Sequence, residues 1–461
     1  EARLPEAAQD PALPLRDPAP VRPHVLADAG EAAERASAPG SRALAIEGAF
    51  QSLAQGMGDA YVGAYALWLG AGGIALGLVA TLPSAAGSLA QAIARRTRAG
   101  AGGARLFISR AWSAQAAGYI ALGSCLLLPR PLSVPALLAL VFVAWGTGGV
   151  AIPPWTALIS AAVPRSRHGW FFALRGACQQ AGTMVAILGG AAVLSLMTAM
   201  GHEGLGFAVV FMIAGLARAV GAGLFDRVPA HEAPPPRAAR ARGFAILRGS
   251  VKFRRLAIYL WSLHLATYVS TPFFVPYMLR DLRFSYALVG GLVATPAVVK
   301  MLTLRLWGRL ADRVGPGPLL RGSGWLVVIV PGLWLVSGNV AWLLLAQIFS
   351  GLVWGAFELA QASSILQATR ARERDVALFN AVDGAVTIAG SLVGGATVNF
   401  FATGGRSGFL AAMALSTILR AVPALALLWR VRGIGRPDWS HLKMPLRVFG
   451  VRPTRGISLR P

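Results

Sequence analysis

Residues 285–308 read SYALVGGLVATPAVVKMLTLRLWG and run straight into RLADRVG at 309–315. A helix rises about 1.5 Å per residue, so this stretch is long enough to cross a hydrocarbon core of roughly 30 Å. Its only charges are Lys300 and Arg305, and a basic turn marks its end. Working outward, comparable apolar stretches fill 43–69, 72–94, 106–128, 134–162, 170–198, 205–225, 256–279, 319–336, 341–369, 376–402 and 408–429. The expected fold is an all-α membrane protein with twelve transmembrane helices in two pseudo-symmetric six-helix bundles. A soluble chain of 461 residues would not be 55% hydrophobic and only 13% charged.

The formal charge of +24 raises the question of nucleic acid, and the placement of the charge answers it. Basic residues gather in alternate loops, eight of them in residues 226–255 alone, while the opposite loops hold only Arg130, Arg280, Arg283 and Arg406. The positive-inside rule puts the basic loops and both termini in the cytoplasm. The excess is topological, with anionic lipid as its partner and no nucleic acid expected. Cys125 and Cys178 both fall within spans, so no disulfide framework is expected. Lysine occurs only at 252, 300 and 443 against abundant Arg and Ala, which suggests a bacterial inner membrane.

The boundaries follow. Residues 1–42, rich in Ala, Pro, Glu and Arg, read as a disordered cytoplasmic tail. The first bundle occupies 43–225, a linker 226–255, the second bundle 256–430, and a basic tail 431–461. Three paired segments support duplication. Gly87–Gln91 matches Gly308–Asp312, and Phe172–Ala177 matches Asn380–Ala385. Gly206-Phe207 with Arg218-Ala219-Val220 matches Gly408-Phe409 with Arg420-Ala421-Val422 at the same spacing.

Gly308-Arg309-Leu310-Ala311-Asp312-Arg313-Val314-Gly315 resembles the loop motif of the major facilitator superfamily, with Gly87–Gln91 as its partner in the first half. The resemblance covers essentially residues 43–430. It implies a transporter, not an enzyme, in which the motif's acid latches the halves on the cytoplasmic side. Gly308, Asp312, Arg313 and Gly315 would form that gate, with Gln91 standing where the first half has no acid. The drug-antiporter signature of helix five is absent, so no subfamily follows.

An ionisable group in hydrocarbon costs on the order of 3 kcal/mol or more unless it has a partner or faces water, so each one inside a span is a candidate. Gln51, Gln55 and Asp59 repeat every four residues on one face of helix one. The resemblance implies that helices one, four, seven and ten line the cavity. Asp59 is the leading protonation candidate, followed by Glu358 on helix ten, where Gln361 also lies. His264 and Tyr268 of helix seven suit a substrate wall, and Lys300 suits an anion or a pairing with Asp59 or Glu358. Asp383 is a further protonation candidate and Arg175 a further cavity candidate; the two occupy equivalent places, so they either bridge the halves or each pairs within its own half. Arg218 and Arg420 lie on helices that the family places outermost, and are expected to be structural or to snorkel. Pro153-Pro154, Pro272 and Pro276 should interrupt their helices.

No Gly-x-x-x-x-Gly-Lys-Ser/Thr loop is present, and His202-Glu203 lacks the second His of a zinc-protease helix. No cofactor or metal is expected. The reading is a proton-coupled secondary transporter of a small organic solute, working as a monomer by alternating access. Two rivals keep the fold: a non-transporting assembly factor that docks through the C-terminal tail (Trp439, Phe449), and a lysolipid flippase.

Overall fold

The computed structural model describes residues 23–94, 101–162, 168–225, 251–369, 373–402 and 407–427. Among these residues the chain is helical, with no strand. The helices of the first part are α1 (Pro23–Trp68), α2 (Gly73–Ala94), α3 (Ala101–Gly123), α4 (Arg130–Val150), α5 (Ile152–Ala162), α6 (His168–Ala199) and α7 (Glu203–Phe225). The second part comprises α8 (Val251–Tyr268), the single turn α9 (Phe274–Pro276), α10 (Tyr286–Val314), α11 (Pro316–Val336), α12 (Val340–Thr369), α13 (Glu373–Ala402) and α14 (Gly408–Ala426).

Local signals set several ends. The Ser285 hydroxyl accepts from the Leu288 amide at 3.3 Å and caps α10. At the other end of α10, Gly315 turns left-handed at φ +83°, and its N–H donates to Ala311 O at 2.9 Å. The one glycine of the RLADRVG stretch is thus a helix stop that a side chain would strain. Proline acts as expected: the fourth span breaks at Ala151, with Pro153-Pro154 in the first turn of α5. The seventh span breaks after Tyr268 into a 3₁₀ turn (Thr271–Phe273), α9, and a π-turn (Tyr277–Asp281).

Two boundaries need correction. Residues 23–42, read above as tail, are the opening turns of α1, because Ala and Glu in that stretch are good helix formers. The second part starts at Val251 rather than 256. Residues 226–250 and 428–461, which hold most of the linker and the C-terminal tail, lie outside the described residues.

Nine helical stretches among the described residues are long and apolar enough to cross a membrane. The other three expected spans are α1, α3 and α8, which are helical but carry the polar stripe of α1, Arg105 and Arg110 of α3, and Lys252, Arg254 and Arg255 of α8. Leu302, Phe400 and Ile418 point outward at 72%, 75% and 65% exposure, as lipid-facing side chains do.

Helices before residue 226 pack mainly on one another: α1 on α6 and α7, α3 on α7 and α4, and α2 on α4. Those after 250 do likewise: α8 on α13 and α14, α10 on α12, and α11 on α12 and α14. The two parts meet chiefly where α2 packs on α13 and α6 on α10. One buried apolar cluster, running from Tyr61 and Leu76 through Phe207 to Tyr286, Val398 and Phe409, is common to both parts. Farther along the helices the core divides. Leu44, Ile108, Trp112 and Phe225 belong to one cluster, and Leu256, Leu320, Phe357 and Phe379 to another.

The shared end is closed by backbone contact. A Cβ at Gly395 would lie 2.6 Å from Gly73 O, and one at Gly290 would lie 2.5 Å from the Ala191 Cβ. The Gly73 amide donates to Asn399 Oδ1 at 2.6 Å. Toward the opposite ends of the same four helices, a Cβ at Gly87, Gly176, Gly308 or Gly384 would meet nothing within 4 Å. The molecule is shut at the end carrying residues 73, 199, 286 and 402, and parted at the other.

Candidate functional site

A cavity of about 740 Å³ lies in the first part and is lined by all three polar residues of the α1 stripe, Gln51, Gln55 and Asp59. Gln91, Trp112, Gln115, Tyr119, Trp145, Trp155, Arg175, Gln179 and Arg218 add to its wall. Asp59 is open to this space rather than packed away, and its Oδ1 accepts from Trp145 Nε1 at 2.9 Å. Gln55, one turn back, also hydrogen-bonds it. Both partners are neutral.

The charged centre of this part is Glu47, which the sequence reading missed. It is fully buried, and its Oε2 lies 2.7 Å from Arg175 Nη1. Its Oε1 lies 3.7 Å from Arg218 Nη1, too far for a hydrogen bond, so both atoms are buried without one. Arg175 Nη2 donates to Gln51 Oε1 at 2.8 Å, and Arg175 also donates to the Leu44 carbonyl. Arg218 Nε donates to Gln115 Oε1 at 2.7 Å. Each guanidinium lies over an indole, Arg175 at 4.6 Å from the Trp155 centroid and Arg218 at 4.1 Å from that of Trp112. One carboxylate thus joins α1, α6 and α7. The signal was available: Glu47 continues the four-residue ladder of Gln51, Gln55 and Asp59 by one step.

The candidates of the second part do not border this cavity. His264 Nδ1 lies 2.5 Å from Asp383 Oδ1, and its Nε2 lies 3.2 Å from Gln361 Oε1, which ties α8 to α13 and α12. Tyr268 closes α8 one turn farther on. Lys300 Nζ pairs with Glu358 at 3.0 and 3.1 Å across α10 and α12, in a half-exposed bridge of small energetic weight. Of the two readings of Arg175 and Asp383, the local one describes this structure. Arg175 pairs with Glu47 and Asp383 with His264, each inside its own part.

Of the two readings of Arg218 and Arg420, the structure favours the structural one over snorkelling, since they are 3% and 1% exposed. Arg420 has no carboxylate partner among the described residues. Its guanidinium donates to Val327 O at 3.0 Å, Thr267 O at 3.4 Å and Ser270 Oγ at 3.2 Å. Thr267 O belongs to the C-terminal turn of α8, where the break leaves carbonyls without helical donors and a cation meets the negative end of the helix dipole.

The loop-motif residues lie at the parted end, with Gln91 at the cavity wall and Asp312 and Arg313 exposed. No ion pair of Asp312 is among the described contacts. At the shut end, a second cavity of about 730 Å³ is bordered by Trp68, Glu203, Arg280, Arg283 and Tyr286. Tyr286 donates its hydroxyl proton to Glu203 Oε1 at 2.6 Å across the two parts.

The chain is thus a bundle of long apolar helices, shut at one end, with a polar cavity of about 740 Å³ in its first part. The family model described as Major Facilitator Superfamily matches residues 256–441 of this chain. A bacterial homolog to the human lysosomal transporter Spinster, inward-facing and occupied, superposes at a TM-score of 0.64 with 14% identity, over 85% of this chain and 96% of its own. The nucleoside transporter NupG gives 0.61 and 14%, over 89% and 99%. A POT family transporter in complex with a thioalcohol conjugated peptide gives 0.61 and 14%, over 86% and 97%. At such identities the likeness is one of fold. No curated protein matches the chain in sequence.

Proposed function

We propose that this chain is a secondary active transporter that moves a small organic solute by alternating access, with twelve spans in halves at 43–225 and 256–430. The observation that carries the reading is the geometry of α2, α6, α10 and α13, which touch at one end and face open space at the other. The basic loops follow the parted ends of these helices, which favours an orientation open to the cytoplasm with both termini there, in a bacterial inner membrane. The exposed Asp312 suits a latch that engages only when that side closes.

Coupling is assigned to a proton on Asp59. It is the carboxylate among the candidates that faces the cavity and has only neutral partners, whereas Glu358 is already matched by Lys300 and Asp383 does not border the cavity. A carboxylate held by an indole N–H and an amide keeps those bonds in either protonation state, so the site titrates without being dismantled. Uptake of the solute, once identified by a ligand-stabilisation screen, is to be measured in vesicles with an imposed pH gradient. Asp59→Asn is expected to cut gradient-driven uptake about a hundredfold, and Glu358→Gln to leave it within about threefold. Full gradient-driven uptake by Asp59→Asn sinks the coupling assignment.

A further inference from the structure

The charges around the cavity are unequal in a way that depends on one proton. Two guanidiniums, Arg175 and Arg218, share the single carboxylate of Glu47, and Arg218 Nη1 is buried without a hydrogen-bond acceptor. The second carboxylate of the same wall is Asp59. With Asp59 ionised, the group is neutral. With Asp59 protonated, it carries one uncompensated positive charge in a low-dielectric surrounding, which calls for an anion. Gln51, Gln115 and Gln179 line the same cavity and carry amide donors, and Trp112, Trp145 and Trp155 supply apolar area for an organic body.

We propose that this cavity binds a monoanionic organic solute, a carboxylate or sulfonate, together with one proton on Asp59. The inference rests on the transporter reading and names its substrate class. Asp59 stands eight residues from Gln51, about 12 Å along α1. At an effective dielectric of about 20, a unit charge at that distance changes the affinity for an anion about tenfold. The coupling is reciprocal: the anion draws the proton on as the proton draws the anion. The charged and titratable groups that line the cavity with Asp59 are Tyr119 of α3, Arg175 of α6 and Arg218 of α7, and Glu47 of α1 lies buried against the two arginines. α2, α5 and α9 carry no charged residue, and α4 only Arg130 at its first position.

The test uses the purified full chain in detergent and follows the fluorescence of the cavity tryptophans. The probe is butanesulfonate, ionised at every pH used, against neutral butyramide and cationic butylammonium. Butanesulfonate alone should bind, with an affinity that rises about tenfold from pH 8.5 to pH 6. In Asp59→Asn the affinity should stay at its acid value across that range. Arg218→Gln should lose about tenfold and Arg218→Lys most of that loss should restore; if Arg218→Gln does not fold, the wild-type and Asp59→Asn profiles decide alone. Equal binding of butyramide, preference for butylammonium, absence of butanesulfonate binding, or a pH-flat wild-type profile overturns the proposal. A pH-flat profile beside intact gradient-driven uptake would do so while leaving the transporter reading in place. Proton-linked anion binding by a chain that moves no solute would overturn that reading and keep the site.

Discussion

Oxidation of a chain carrying Gly77→Cys and Ser391→Cys, with Cys125 and Cys178 replaced by serine, is expected to abolish transport, and reduction to restore it. A Cβ at Gly77 lies 3.4 Å from the Ser391 Cβ, and disulfides hold their Cβ atoms roughly 3.5–4.5 Å apart. That Cβ would also sit 2.6 Å from Ser391 O, so α2 and α13 must part by several tenths of an ångström. The adjustment moves the two sulfur-bearing carbons into range. Alternating access requires this end to separate in every cycle, so a covalent link stops turnover rather than slowing it. The reduced double variant is the control. A crosslinked chain that still transports at the reduced rate would remove alternating access as the mechanism.

The largest stability effect is expected at Glu47. Glu47→Ala strips the one carboxylate from two buried guanidiniums and leaves like charges facing each other across α6 and α7. Breaking a buried ion pair from one side costs about 3–5 kcal/mol. The loss is to be read as a lower thermal midpoint of the purified chain in detergent, and Glu47→Gln, which keeps an acceptor oxygen for Arg175, should lose less. A fall below about 1 kcal/mol for Glu47→Ala would show that the guanidiniums find other acceptors and that Glu47 does not organise the site.

The sequence made some parts of this arrangement readable and hid others for physical reasons. Helical periodicity placed Gln51, Gln55 and Asp59 on one face, and the structure puts that face on the cavity. The glycine and basic residues of RLADRVG marked a turn, and Gly315 makes it. Proline positions located the breaks in the fourth and seventh spans, since a missing N–H acts locally. What periodicity does not encode is the neighbour. Arg218 and Arg420 lie on helices whose outer faces meet lipid, yet their own stripes turn inward, so the helix's place at the periphery left open whether each was structural or snorkelled. Whether Arg175 meets Asp383 or Glu47 depends on how far apart the parts stand, which no spacing within a helix reports. Glu47 was overlooked because it falls near the start of its span, where a carboxylate ordinarily reaches water.

The shut end described above joins through glycine main chain, with Gly73 against Gly395 and Gly77 against the Ser391 carbonyl. Side chains that immobilise on contact each forfeit rotational freedom, typically about 0.5–1.5 kcal/mol for the flexible ones. Glycine has none to forfeit. At these glycine contacts reclosure costs no side-chain freedom, and the ordering of side chains falls on the neighbouring apolar cluster and on the Asn399 and Tyr286 bonds. The glycine pairs thus bring the two backbones to closest approach at points where no rotamer has to be selected.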